Sequence, residues 1–394
     1  MKYRQLLMAS FLAPWFFPDT SLSQDPAEEL TKIIEGPQHP DRQGFDSFTL
    51  EELMENFGVP GVSIAVIKDF EIHWAKGYGV ADVATSAIVD IETLFQAASI
   101  SKPVNAMAFL KAAQDGEFSM DDDINHILKS WNVPDSPFTK DYPVTARTLA
   151  SHISGLGDGF GFPGYHPSDP LPTVVQILNG GKPSNVGPVL LARPPMTAVH
   201  YSGGGVTVLQ LALTDAIGRP YSDILRDYVL GPIGMTRSTF EQPLSPEKDK
   251  NATRGHDGEG KAMVAKWHVY PELAAAGLWT TPTDLAKFAI EVQKSLQGKA
   301  NNVLSQAMIK EMLDPVGVGD YGVGFSVTKQ GQGWYFGHGG ANWGFRCVLR
   351  AHKVKGYGFA IMTNSQNGGV ILDELKERIE RAYGYDSLDK SVYR

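Results

Sequence analysis

The chain has 394 residues, of which 42% are hydrophobic and 20% are charged, and this balance indicates a globular protein with a substantial core. Its net charge of −9 argues against a surface for nucleic acid or for an anionic membrane. The only cysteine, Cys347, excludes an intramolecular disulfide, and its apolar neighbours predict a buried structural thiol.

The first 23 residues have the pattern of a secretory signal peptide. Lys2 and Arg4 precede an apolar run over residues 6–17, and the small residues Ser21 and Ser23 suit a cleavage site. We therefore expect a periplasmic or secreted protein with no stable membrane anchor after cleavage. The alternative reading is a buried N-terminal helix.

The next part of the chain predicts a surface segment, a helix and a hairpin. Residues 24–45 are polar and are expected at the surface, and a helix is expected over residues 50–57. Two β-rich runs, residues 61–67 and 71–78, are separated by three residues and read as a hairpin. The first run is almost entirely apolar, which is typical of a strand covered on both faces.

Residues 130–270 alternate short helical patterns with long loops rich in glycine and proline, within a helical region of about 96–300. The last quarter of the chain returns to strands. The later strands are expected over residues 321–327, 333–336, 344–349 and 357–363, with a closing helix over 370–383. Strands at both ends imply one shared sheet, formed from about residues 46–95 and 320–385. The predicted fold class is α+β, with a mainly antiparallel sheet, terminal helices and an inserted helical region.

Ser99 and Lys102 form the strongest candidate for catalytic chemistry. They lie three residues apart where an apolar helical pattern begins, so the amine can reach the neighbouring hydroxyl. The helix N-terminus favours an oxyanion, and burial favours a neutral, basic lysine. The alternative is a structural role, in which Ser99 caps the helix and Lys102 is a neighbouring lysine that extends its amine to solvent. The same spacing recurs in less suitable polar or strand settings, at Ser245/Lys248, Ser326/Lys329 and Ser387/Lys390.

Two later stretches could complete a site. Tyr201 stands beside a glycine run that precedes a helical pattern, and His338, Gly339 and Gly340 lie at the edge of a predicted strand. Glycines at such an edge allow a substrate or another backbone to approach closely. Trp343 could line the pocket or pack in the core.

Taken together, these motifs resemble those of the serine β-lactamase and penicillin-binding-protein superfamily. The segments are Ser99-Ile-Ser-Lys102, Tyr201-Ser-Gly203 and His338-Gly-Gly340, in the same order and with similarly wide spacing. Leu149-Ala-Ser-His-Ile-Ser-Gly-Leu156 is also similar to a motif of this superfamily. The likeness is greatest to the branch of class C β-lactamases, D-amino-acid peptidases and β-lactamase-like esterases, and it makes residues 46–394 one catalytic domain.

The resemblance implies a role for each of these residues. Ser99 would be the acylated nucleophile, Lys102 would take or help to take its proton, and Tyr201 would share the base role and protonate the leaving group. The backbone N–H groups of Ser99 and Ala341 would form the oxyanion hole, beside Gly339 and Gly340. His338 replaces a lysine common in the superfamily and could hydrogen-bond or, if protonated, attract a carboxylate. No metal or cofactor is expected, and His152 is read as a packing residue.

One position departs from the superfamily pattern. The second motif usually reads Tyr-x-Asn, but its third residue here is Gly203. The missing amide favours an ester or simple amide substrate, and the resulting hypothesis is an exported serine hydrolase acting through an acyl-enzyme. The alternatives are a D-amino-acid peptidase or carboxypeptidase, a weak β-lactamase, and a catalytically idle ligand-binding homologue. The sequence indicates no particular oligomeric state.

Overall fold

The structure, a computed structural model, describes residues 26–38, 44–158 and 161–390. The predicted signal peptide lies outside these residues. The strands are β1 (Gly61–Lys68), β2 (Glu71–Asp82), β3 (Ala87–Ile88), β4 (Phe95–Gln96), β5 (Trp279–Thr280), β6 (Ser326–Gln330), β7 (Gly333–Asn342), β8 (Phe345–His352) and β9 (Gly358–Thr363).

One antiparallel sheet joins the two ends of the chain. Its strand order is β3-β2-β1-β9-β8-β7-β6, whereas β4 pairs with β5 in a separate ribbon. Ala65 in β1 lies opposite Ala75 in β2 on one side and opposite Ala360 in β9 on the other. The predicted α+β fold with a mainly antiparallel sheet is therefore confirmed.

Helices cover both faces of the sheet, and most of them lie between β4 and β6 along the chain. They are α1 (Pro26–Glu35), α2 (Leu50–Asn56), α3 (Ser101–Gln114), α4 (Ile124–Ile127), α5 (Ala146–Ala150), α6 (Val174–Leu178), α7 (Gly203–Ile217), α8 (Tyr221–Leu225), α9 (Gly231–Ile233), α10 (Pro246–Asp249), α11 (Leu273–Ala276), α12 (Pro282–Leu296), α13 (Gln306–Leu313) and α14 (Gly368–Tyr383). Shorter 3-10 turns lie at Gly44–Ser47, Ala98–Ile100, Pro137–Thr139 and Asp386–Leu388, and a π-helical turn lies at Arg226–Leu230.

The alternation of side chains along β1 separates two cores. Val62, Ile64 and Val66 pack on the α14 side, whereas Ala65 and Ile67 face the larger core of the helical region. Successive residues of a strand point to opposite faces, so an almost entirely apolar strand suits a sheet covered on both sides. No helix within the three described segments is long and apolar enough to span a bilayer.

The structure corrects two predicted boundaries near the candidate site. The strand expected over residues 333–336 continues to Asn342, so His338, Gly339 and Gly340 lie inside β7 rather than beyond its end. It continues because β8 pairs with it along this whole stretch, as far as Phe345 opposite Asn342. The helix expected after the glycine run instead begins within that run, at Gly203, because Ser202 caps it and accepts the N–H of Gly205.

Arg378 of α14 ties the N-terminal segment to the sheet domain. Its buried guanidinium pairs with Glu374 and donates to four backbone carbonyls, those of Ile34, Gly36, Phe45 and Phe48. Ile34 itself is fully buried, although residues 24–45 are predicted to lie at the surface. A single buried cation thus satisfies the carbonyls at the end of α1 and in the turn before α2.

We expect Arg378→Ala to lower the free energy of unfolding by about 3 kcal/mol, since it leaves Glu374 and several carbonyls without their partner. Urea denaturation followed by circular dichroism measures this loss. Arg381→Ala is the matched control, because Arg381 pairs with Glu377 and Asp46 at a more exposed position and should cost less than about 1 kcal/mol. Equal losses in the two variants would contradict the role given to Arg378.

Candidate active site

Ser99 lies in the 3-10 turn that leads directly into α3. The preceding residue, Ala98, has a φ of +47°, in the left-handed region that L-residues rarely adopt. Ala97 donates its N–H to Leu278 O at 2.9 Å and accepts from the Cys347 thiol at 3.0 Å. The strained turn is therefore held from two sides, and the half-exposed Ser99 is presented at the N-terminal end of a helix.

Lys102 faces Ser99 from the first turn of α3. Its Nζ donates to Ser99 Oγ at 2.9 Å and to Ala275 O of α11 at 2.8 Å. The side chain is almost completely buried, which lowers the pKa of Lys102 to about 7, although the negative charge of Asp158 opposes this shift. A substantial fraction of the amine is therefore neutral near pH 7 and able to accept a proton from Ser99.

Tyr201, just before α7, completes a group of three side chains. Its hydroxyl hydrogen-bonds with Ser99, and its ring centroid lies 4.9 Å from Lys102 Nζ. Burial raises the pKa of Tyr201 well above its ordinary range. Tyr201 thus keeps its proton at neutral pH and is suited to donating it.

His338 of β7 lies near Tyr201, with 6.0 Å between the two ring centroids. Its Nδ1 lies 2.6 Å from Gly339 O, to which it donates. Burial, together with the charge of Lys102, lowers the pKa of His338 to about 4. The ring is neutral at physiological pH, so attraction of a substrate carboxylate by a protonated His338 is not supported.

Gly340 allows β7 to touch the turn that carries the nucleophile. A Cβ at this position would lie 2.3 Å from Ala97 O and 2.4 Å from Cys347 Sγ. β6 pairs with β7 only as far as Gly337, whereas β7 continues to Asn342. The edge of β7 at Gly339 and Ala341 is therefore not covered by β6. All the site residues predicted from the sequence are therefore brought together, and the catalytic role of each remains a prediction.

Asp158 is a site residue that sequence reasoning missed. Its carboxylate accepts the Ser202 hydroxyl at 2.5 Å and the Gly204 N–H at 2.7 Å, and so anchors the start of α7 beside Tyr201. It also supplies the negative charge that acts on Lys102. Asp158 lies 44 positions before Ser202, so no local sequence pattern predicts this pairing. The same is true of Ala275, whose carbonyl lies 173 positions after Lys102.

Phe162 occupies the space that a side chain at position 203 would need. A Cβ on Gly203 would lie 2.9 Å from the Phe162 ring. The next residue, Pro163, accepts a hydrogen bond from the His268 ring, which stacks on Trp343 at 3.9 Å. An aromatic surface therefore stands where the superfamily pattern places an amide.

Comparison with known proteins agrees with this geometry. Residues 49–383 match the sequence profile of the beta-lactamase family. The chain belongs to this family. The predicted resemblance and the prediction of a β-lactamase-related serine hydrolase are thereby confirmed. Among the described residues, no group of three His, Cys, Asp or Glu side chains could hold a metal ion.

Individual relatives show how far the similarity extends. The chain is 26% identical to penicillin-binding protein 4 of Amycolatopsis lactamdurans over 325 residues, which cover 79% of this chain and 82% of that protein. It is 25% identical to Protein flp of Staphylococcus aureus (strain N315), covering 67% of this chain but only 47% of the relative. The D-amino acid amidase of Ochrobactrum anthropi SV3 has a similar fold, with a TM-score of 0.69, 23% identity, and coverage of 90% of this chain and 99% of the amidase.

We expect the acylation rate of Ser99 to rise about tenfold per pH unit below pH 7 and to level off above it, since only neutral Lys102 can take the proton. The rate of covalent labelling by an activated phosphonate, measured from pH 5 to pH 9, tests this profile. Glu272→Gln is the control, because burial raises the pKa of that nearby carboxyl to about 7 as well. A profile that becomes flat in Glu272→Gln would assign the titration to Glu272 instead of Lys102.

Proposed function

We propose that this protein is an exported serine hydrolase that cleaves a small ester or simple amide through an acyl-enzyme on Ser99. The observation that carries the proposal is the 2.9 Å contact between Ser99 Oγ and the buried amine of Lys102, whose pKa is lowered to about 7. A hydroxyl beside a neutral amine is an activated nucleophile. This activation also favours turnover over the idle ligand-binding alternative.

In the acylation step, Lys102 takes the Ser99 proton as Oγ attacks the carbonyl carbon. The oxygen that becomes negative would be held by the N–H groups of Ser99 and Ala341, at a helix N-terminus and at the free edge of β7. The protonated Tyr201, hydrogen-bonded to Ser99, would then pass its proton to the leaving group. The resulting phenolate would recover its proton from Lys102, which restores the neutral amine.

In the deacylation step, a water molecule replaces the leaving group. Lys102 would take a proton from this water as its oxygen attacks the acyl carbon. Tyr201 would give its proton to Ser99 Oγ as the tetrahedral species collapses to release the acid, and Lys102 would then return a proton to Tyr201. The raised pKa of Tyr201 and the lowered pKa of Lys102 favour Lys102 as the initial base and Tyr201 as the proton donor. The same residues thus serve both half-reactions.

The preference for an ester or a simple amide rests on Gly203 and Phe162. A polypeptide or β-lactam substrate carries an acyl-side amide that an asparagine at position 203 could meet with a hydrogen bond. Here the position has no side chain, and the Phe162 ring fills the adjoining space. An apolar surface cannot compensate for the desolvation of a substrate amide, so substrates without that amide are favoured.

Hydrolysis of D-amino-acid amides or peptides is the second candidate function. The similarity to penicillin-binding protein 4 along most of both chains and the fold shared with a D-amino acid amidase favour it. Export is supported by the N-terminal basic and apolar pattern, with the periplasm or the exterior as the destination. Neither candidate requires a metal or a cofactor.

We expect a serine-reactive phosphonate to add its mass to Ser99, and Ser99→Ala to lower turnover of p-nitrophenyl acetate a thousandfold or more. Intact-protein and peptide mass spectrometry locate the adduct. Ser245→Ala is the matched control, because Ser245 has the same spacing to a lysine but lies at the start of α10. No adduct, or unchanged turnover in Ser99→Ala, would contradict the proposal. Faster turnover of a D-alanine p-nitroanilide than of the ester would favour the second candidate.

We expect Gly203→Asn to reduce ester turnover about tenfold, because the new Cβ would lie 2.9 Å from the Phe162 ring and displace it or the start of α7. Phe162→Ala in the same chain removes this conflict and should restore most of the turnover. Steady-state kinetics of the two single variants and the double variant measure the coupling. Additive effects would show that Phe162 does not limit position 203.

A further inference from the structure

His152 contacts Tyr201 and both of its neighbours in the chain. The His152 carbonyl accepts the N–H of His200 at 2.7 Å, and the ring Nδ1 accepts the N–H of Ser202 at 3.3 Å. The ring itself packs against the Tyr201 ring, with 4.3 Å between centroids and an angle of 33° between planes. One residue therefore holds the backbone on each side of Tyr201 and also limits where its side chain can lie.

His152 occupies a backbone position at which helices in this chain elsewhere use glycine. It follows the end of α5 with a φ of +60°, and backbone hydrogen bonds from His152 and Ile153 close the helix as in a Schellman motif. The corresponding residues after α7 and α14 are Gly218 and Gly384, with φ values of 71° and 61°. A side chain kept in a strained conformation points to a role beyond the helix end.

The His152 ring is neutral, and its Nδ1 is the acceptor for Ser202. Because Nδ1 accepts a hydrogen bond from the Ser202 N–H, the neutral ring carries its hydrogen on Nε2. Burial lowers the pKa of His152 well below its ordinary value, and the charges of Lys102, His338 and His200 act in the same direction. The ring also makes a T-shaped contact with Tyr321, with 5.0 Å between the centroids, and this second contact further restricts its orientation.

We propose that His152 is a positioning residue, which holds the Tyr201 hydroxyl at Ser99 by bonding the backbone on both sides of Tyr201 and by packing against its ring. This inference rests on the proposed function, because the consequence of the placement is efficient proton transfer in the acylation of Ser99. A helix cap alone would be served as well or better by glycine. The imidazole acceptor and ring therefore have their use at Tyr201.

Three substitutions separate positioning from simple helix capping. His152→Gly suits the left-handed backbone but removes both the acceptor and the ring, and His152→Ala removes the same groups with a different backbone preference. His152→Asn tolerates the left-handed conformation and can offer Oδ1 to the Ser202 N–H. We expect His152→Gly and His152→Ala each to lower kcat for p-nitrophenyl acetate at least thirtyfold, with KM changed less than threefold. We expect His152→Asn to recover at least a third of that loss in kcat, on a logarithmic scale.

A combination with Tyr201→Phe tests whether His152 acts through Tyr201. If it does, His152→Ala should change the rate of Tyr201→Phe by less than threefold, although it lowers the wild-type rate at least thirtyfold. Thermal unfolding by circular dichroism shows that each variant is folded at the assay temperature. Wild-type kcat in His152→Gly, no recovery in His152→Asn, or full additivity with Tyr201→Phe would each overturn the proposal.

His352→Asn is the control for a buried, aromatic-packed histidine away from the site. Its Nδ1 accepts the N–H groups of Val354 and Lys355 at 3.0 and 2.9 Å, and its ring lies 4.9 Å from that of Tyr357. This variant should keep kcat within twofold of wild type. Ester turnover that depends on Ser99 but not on His152 would refute only this inference, whereas absence of a Ser99 adduct in the wild-type chain would refute the proposed function.

Discussion

The burial of the Lys102 amine is the constraint on which the rest of the site depends. An ammonium group in the helical core is costly, and this cost moves the lysine toward its neutral form and makes it a base near pH 7. The amine donates to Ser99 Oγ and to Ala275 O. The contact with Ala275 depends on the position of α11. Gln210 of α7 holds this helix by accepting from Ala274 N and donating to Pro271 O. The buried helix α3, the short helix α11 and Gln210 thus fix the position of the Lys102 amine beside Ser99.

The sheet supplies the second half of the site from the far end of the chain. β1 and β9 pair along almost their full length, and this fixes where β8 and β7 lie relative to the early part of the chain. Close contact between β7 and the Ser99 turn then requires that Gly340 has no side chain and that the Cys347 thiol reaches Ala97 O. This packing also positions His338 and Ala341 of β7 near the Ser99 turn.

Two residues with a left-handed backbone lie beside the proposed nucleophile and the proposed proton donor. Ala98 precedes Ser99 and His152 packs against Tyr201, and glycine would adopt either conformation at lower cost. At position 203, in contrast, glycine stands where the superfamily pattern has asparagine, and the Phe162 ring occupies the space that the asparagine would need. Ser99 and Tyr201, the proposed nucleophile and proton donor, are thus held in place, whereas the space beside Gly203 is more apolar than that pattern implies.

The sequence by itself determined what depends on near neighbours. The three-residue spacing on a helix set Ser99 beside Lys102, and the apolar run of β1 implied two covered faces. Only the tertiary structure decided the extension of β7 to Asn342, because a glycine-rich run has little strand preference of its own and needs β8 as a partner. Likewise, Asp158, Phe162 and Ala275 join the site through contacts between distant parts of the chain. Spacing along the chain reports local geometry, whereas the electrostatics and shape of the pocket arise from segments that only folding brings together.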